Sequence, residues 1–135
     1  MPETKKPLIC IVDDDDSVRR ALKRLIHSAG MDVRTFASAD EFITSRPEEK
    51  NACLITDVKM SGVTGLELHQ KLIDLGSRLP VIYITAFDTE EIRAQAKSAG
   101  GVGYFRKPVD DQALLDAIRW ALSRRGSEEG RSEQF

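Results

Sequence analysis

Apolar residues follow two rhythms along this chain, and the two alternate. Short apolar runs at 8–12, 53–57, 80–85 and 102–105, together with the alternating segment 32–36, have the length and β-branched content of strands. The first, third and fourth carry almost no polar residue, as expected of strands buried on both faces of a sheet. Between the runs, apolar residues recur at i, i+3 and i+4. Residues 17–29 place Val18, Ala21, Leu22, Leu25, Ile26 and Ala29 on one stripe, and Gly30 stops that helix. Ser38 caps a short helix over 39–46 that turns Phe42 and Ile43 inward and is closed by Pro47. Residues 65–75 set Leu68, Leu72 and Leu75 at core spacing, with Gly76 ending the helix. Residues 89–99 are polar and alanine-rich, and Ile92 is their only large apolar residue, so this helix buries little and is the least firmly held. A last helix opens at Asp110 or Asp111 and carries Leu114, Leu115, Ile118, Ala121 and Leu122 inward.

Strand starts fall roughly 20 to 27 residues apart, the spacing of strand–helix units rather than of hairpins. The expected fold is α/β: a five-stranded parallel sheet with helices on both faces. Right-handed crossovers then bring every strand's C-terminal end to one edge, where open α/β sheets bind ligands. Asp13, Asp14, Asp57, Thr85 and Lys107 all fall at that edge. Any one of them has an ordinary explanation. Five polar groups at the ends of four strands do not.

At 135 residues the chain makes one domain, with a leader over 1–7, the domain over 8–123 and a polar tail or linker from 124 to 135. Twenty basic against 22 acidic residues give a net charge of −2, which argues against nucleic-acid binding by this segment and against attraction to a membrane surface. No apolar run reaches the roughly 18 residues of a membrane helix, and no signal-peptide core precedes the aspartates, so a cytoplasmic location is expected. Cys10 and Cys53 point to opposite sheet faces and read as small buried hydrophobes, not as a disulfide. Asp15 and Asp16 read as helix-start residues. His27 and His69 read as solvated helix-surface residues, and Trp120 lies off the stripe of the last helix.

Three carboxylates drawn together repel by about 4 kcal/mol per pair at 4 Å under an effective dielectric of 20, so the cluster calls for a counter-charge. Hard oxygen ligands suit Mg²⁺, which takes few carboxylates and bridges to phosphate oxygens, and Lys107 offers a second, fixed positive charge. A carboxylate so placed is a competent nucleophile toward phosphorus.

These residues resemble the receiver domain of two-component response regulators. The resemblance covers about residues 8–122 and rests on four ordered motifs: the acid pair Asp13-Asp14, Asp57 in ITDVKM, Thr85-Ala86, and Lys107-Pro108. VDDDDSVRRAL and TFASADEF are most similar to the FixJ-like subgroup, whose receivers precede a helix-turn-helix output domain. The resemblance implies the flavodoxin-like, CheY-like strand order 2-1-3-4-5. It implies Asp57 as phosphoacceptor, Lys107 and Thr85 as ligands of the phosphoryl oxygens, and Mg²⁺ held by Asp13, Asp14, Asp57 and the backbone carbonyl of Lys59. Thr85 and Tyr104 are the implied switch pair, and Ala86 the small residue that leaves the phosphate accessible. A sensor histidine kinase or phosphotransfer protein is the implied partner, with phosphorylation-dependent dimerisation through the α4-β5-α5 surface. Such a domain is a signalling module that catalyses only its own phosphoryl transfer and dephosphorylation.

Ser61 departs from the family, which usually has proline there, so this loop loses a fixed φ and gains a backbone donor. Gly62 and Gly65 suggest further flexibility in the same loop. Two other functions compete. An aspartate-nucleophile phosphatase typically has a second acid two residues after the nucleophile, where this chain has Lys59. A phosphate-independent pseudo-receiver does not need the intact set of Asp13, Asp14, Asp57, Thr85 and Lys107.

Overall fold

β1 (Leu8–Val12), β2 (Asp32–Phe36), β3 (Ala52–Asp57), β4 (Val81–Thr85) and β5 (Gly103–Arg106) pair in parallel in the order β2-β1-β3-β4-β5. The structure, a computed structural model, describes residues 6–124. The leader and tail expected at 1–7 and 124–135 therefore lie almost wholly outside the described residues. Five helices connect the strands: α1 (Asp16–Ser28), α2 (Ala39–Ser45), α3 (Gly65–Asp74), α4 (Glu90–Ser98) and α5 (Asp111–Ser123).

Strand alternation sorts the core into two layers. Ile9, Ile11, Cys53, Ile55, Ile82 and Ile84 face one side and pack with Leu22 and Ile26 of α1 and Leu114, Ala117, Ile118 and Ala121 of α5. Cys10, Val12, Leu54, Val81 and Tyr83 face the other side, against Ala39 and Phe42 of α2, Leu68 and Leu72 of α3, and Ala96 of α4. The two cysteines thus lie on opposite faces, as alternation requires. β3 and β4 are buried along their whole length, and each fully buried Leu or Ile contributes about 1.5–3 kcal/mol.

Local chemistry sets where the helices begin. Asp15 caps α1 by accepting from the Ser17 and Val18 amides, and Asp110 caps α5 by accepting from Ala113. Thr64 and Glu67 form a reciprocal capping box at α3. α4 is capped by Thr89 and buries fully only Ala96, the fewest of the five helices, with Ile92 packed partly buried against the core.

Two expectations fail on α3. Leu75, placed at core spacing, is 54% exposed: it is the C-cap residue, where the helix ends. His69, expected in solvent, is buried, and its Nδ1 lies 2.6 Å from the Tyr83 hydroxyl. The α3 stripe of Leu68 and Leu72 faces the sheet, and the turn after α4 covers the flank that carries His69; a Cβ on Gly100 would stand 3.9 Å from its ring. Periodicity within α3 reports the sheet-facing stripe but not a neighbour arriving from elsewhere in the chain.

Candidate functional site

The C-terminal ends of β1, β3, β4 and β5 meet where the strand order reverses between β1 and β3. Asp13 follows β1 and is fully buried; Asp14 is exposed beside it; Asp57 ends β3 at 6% exposure. One carboxylate oxygen from each of the three lies within 4.8 Å of the other two. Lys107, just after β5, reaches into this group, with Nζ 2.9 Å from Asp57 Oδ2 and 2.9 Å from Asp13 Oδ2. The contact with Asp57 is a hydrogen bond. Asp13 Oδ2 is paired by charge alone: it is fully buried and accepts no hydrogen bond.

The remaining oxygens are oriented by backbone amides. Asp13 Oδ1 accepts from the Asp15 amide, Asp57 Oδ1 from the Lys59 amide at 3.2 Å, and Asp14 Oδ2 from the Ser61 amide at 3.2 Å. Arg19, one turn into α1, donates to the backbone carbonyl of Asp13 and pairs with Asp16, so its charge is not spent on the acid cluster. Burial and the neighbouring Asp13 raise the Asp57 pKa, against the opposing pull of Lys107. Burial alone would lower the Lys107 pKa, but its close contacts with the Asp13 and Asp57 carboxylates outweigh that and raise it. Three clustered carboxylates beside one ammonium leave uncompensated negative charge. This donor set fits a hard divalent cation such as Mg²⁺.

Thr85 is fully buried at the end of β4, and its Oγ1 accepts from the Phe87 amide at 2.9 Å. Tyr104 of β5 pairs in register with Tyr83, not Thr85. Its hydroxyl donates to Asp88 Oδ1 at 2.9 Å, and the Arg93 guanidinium lies 4.5 Å from its ring centroid. Burial and the Asp88 carboxylate push the Tyr104 pKa up to about 12. Ala86, Phe87 and Lys59 are exposed around the mouth of the site.

Residues 9–119 match the family model of the response regulator receiver domain. The chain belongs to this family. The receiver is 39% identical over 115 residues to the transcriptional regulatory protein TdiR of Thauera aromatica, covering 85% of this chain and 51% of that protein. It is 35% identical over 133 residues to the transcriptional regulatory protein FixJ of Azorhizobium caulinodans, covering 98% of this chain and 62% of that one. The chain thus spans about half to two-thirds of the length of these curated relatives. Among solved structures, the response regulator StyR superposes with a TM-score of 0.84 at 38% identity, over 93% of this chain and 63% of that one. FixJ-N superposes with a TM-score of 0.81 at 32% identity, over 89% and 96%. A receiver of two-component response regulators has a phosphoacceptor role.

The sequence-predicted residues Asp13, Asp14, Asp57 and Lys107 are brought together, while Thr85 lies at the adjoining strand end and Tyr104, on β5, is bonded instead to Asp88. Four contributors escaped sequence reasoning. Arg19, Asp88 and Arg93 act through contacts that no spacing rule marks. Gly65 was read as a source of flexibility, yet a Cβ there would collide with the Asp57 carbonyl oxygen. Its signal was present: a glycine at the first position of a capped helix serves close approach rather than freedom.

Proposed function

We propose that the receiver takes a phosphoryl group onto Asp57 from a sensor histidine kinase or phosphotransfer protein, with Mg²⁺ as cofactor. The observation that carries this reading is the Lys107 ammonium set 2.9 Å from both Asp57 Oδ2 and the fully buried Asp13 Oδ2. In the transfer, an Asp57 oxygen attacks phosphorus; the O–P bond forms as the P–N bond to the donor imidazole breaks, and that nitrogen keeps the electron pair. The attacking carboxylate must be ionised, and Lys107 favours that form. Lys107 also balances charge on the transferred oxygens, and the Thr85 hydroxyl, whose oxygen is already held by the Phe87 amide, turns its proton toward one of them. Asp13, Asp14, Asp57 and the Lys59 carbonyl hold Mg²⁺, which when bound neutralises the acids and the phosphoryl oxygens.

The functional unit spans residues 8–123 and works in the cytoplasm, catalysing only its own phosphorylation and dephosphorylation. Tyr104 is the reorienting residue. Its present partners, Asp88 and Arg93, belong to the β4–α4 loop and to α4, so its movement is felt by the α4-β5-α5 surface, through which phosphorylated copies dimerise. Incubation with acetyl phosphate and intact-mass measurement tests the reading. One phosphoryl group should be gained with Mg²⁺, and none with EDTA or in Asp57→Asn. Uptake by Asp57→Asn at the parent's level would refute it.

A further inference from the structure

Two loops flank the acids: 13–15, which carries Asp13 and Asp14 after β1, and 58–64, which follows Asp57 at the end of β3. Among the described residues a single hydrogen bond joins them, from the Ser61 amide to Asp14 Oδ2 at 3.2 Å, across 47 residues of chain. Asp13 and Asp57 are each fixed by burial and by Lys107, whereas Asp14 is exposed and outside the reach recorded for Lys107. Its carboxylate therefore depends on that one amide for its orientation. The bond occupies one oxygen and leaves the other free. On the loop side, Gly62 at φ +78° turns the chain back toward α3, and Gly65 pins the loop's far end against Asp57, so the Ser61 amide is the point at which the loop is held to the β1 side.

We propose that the Ser61 backbone amide is a positioning group for divalent-cation binding: it orients Asp14 as a ligand and thereby couples occupancy of the acidic cluster to order in residues 58–64. The donor is the main chain, so the side chain at 61 matters only through whether it leaves an N–H. Alanine keeps the group and proline deletes it. Because coupling is reciprocal, a cation that immobilises Asp14 must also hold the Ser61 amide more tightly. The inference rests on the Mg²⁺ reading above and adds a residue which the cation itself does not touch.

Mg²⁺ titration by calorimetry of the parent, Ser61→Ala and Ser61→Pro, with hydrogen exchange of the Ser61 amide in the parent and in Asp14→Ala, tests the proposal. Ser61→Ala should bind Mg²⁺ within about twofold of the parent and Ser61→Pro about tenfold more weakly, the low end of the range for groups that orient metal ligands. In the parent, Mg²⁺ should slow exchange at Ser61, and without metal Asp14→Ala should speed it. Ser61→Pro binding as tightly as Ser61→Ala, or a Ser61 amide indifferent to both Mg²⁺ and Asp14→Ala, would overturn the proposal. A parent without saturable Mg²⁺ binding would instead overturn the cation reading on which it rests. The exchange measurements decide the matter even if Ser61→Pro does not fold.

Discussion

Lys107 Nζ and Asp57 Oδ2 stand 2.9 Å apart although 50 residues separate them in the chain. The same ammonium is the counter-charge recorded for the fully buried Asp13 carboxylate. Lys107→Met keeps the stem and deletes the charge, leaving two acids without it. Breaking a buried pair costs about 3–5 kcal/mol, and the 17% exposure of Lys107 lowers the expected loss to about 2 kcal/mol in metal-free buffer. Mg²⁺ should restore more stability to this variant than to the parent. Urea unfolding with EDTA and with Mg²⁺ measures both effects; an unchanged metal-free stability would remove Lys107 as the cluster's counter-charge.

Asp57→Asn should act in the opposite direction. The carboxylate sits beside Asp13 in a desolvated pocket, and its pKa is raised, so ionised Asp57 costs the folded state free energy. Removing that charge leaves Lys107 with Asp13 and should stabilise the metal-free protein by about 1 kcal/mol, a screened Coulomb estimate. Because the folded pKa lies above the unfolded one, the penalty is full at neutral pH and disappears as pH falls through the folded pKa toward 3.8. Mg²⁺ at roughly ten times its dissociation constant should stabilise the parent by about 1.4 kcal/mol, and Asp14→Asn by much less. Thermal unfolding in EDTA is the check, and an Asp57→Asn protein less stable than the parent would contradict the charge strain.

His69 should make the fold sensitive to mild acid. Burial lowers its pKa to about 4, from 6.5, while the Tyr83 hydroxyl bonds its Nδ1. Below pH 6.5 the unfolded chain takes up a proton that the folded protein refuses until about pH 4, so stability falls as pH drops through that window. The loss from pH 7 to pH 5 should be about 2 kcal/mol from this residue. His69→Gln, which still offers Tyr83 an acceptor, should flatten that slope in denaturant titrations; an equal slope in parent and variant would show that His69 does not set it.

Phosphorylation should loosen or reorder the α4 side of the molecule. α4 fully buries only Ala96, and Tyr104 is tied to the β4–α4 loop by the Asp88 hydrogen bond and to α4 by the Arg93 contact, so reorientation of Tyr104 releases both. Hydrogen exchange compared with and without acetyl phosphate should change across α4, β5 and α5. Changes confined to residues 19–29 would contradict the switch.

The sheet was legible because alternation, β-branched runs and strand-to-strand spacing are local signals, and one topological rule then carries the strand ends to a single edge. Asp13, Asp57 and Lys107 were legible for the same reason, since each ends or follows a strand and inherits its place. What escaped depended on contacts between elements distant in sequence. His69 lies on the flank of its own helix and is buried where Tyr83 of β4 and the turn after α4 approach it. Leu75 has core spacing but falls at the C-cap of α3 and is exposed. The Ser61 amide was visible as an extra donor, and its acceptor, Asp14, only in three dimensions.

The most direct test of Asp57 as the nucleophile is to locate the acyl phosphate. After acetyl phosphate treatment with Mg²⁺, borohydride reduction converts an aspartyl phosphate to homoserine, and peptide mass spectrometry reads its position. The expected result is homoserine at 57 alone, abolished by EDTA and strongly reduced in Lys107→Met. Homoserine at 13 or 14, or labelling at 57 that is indifferent to Mg²⁺ and to Lys107, would contradict the account.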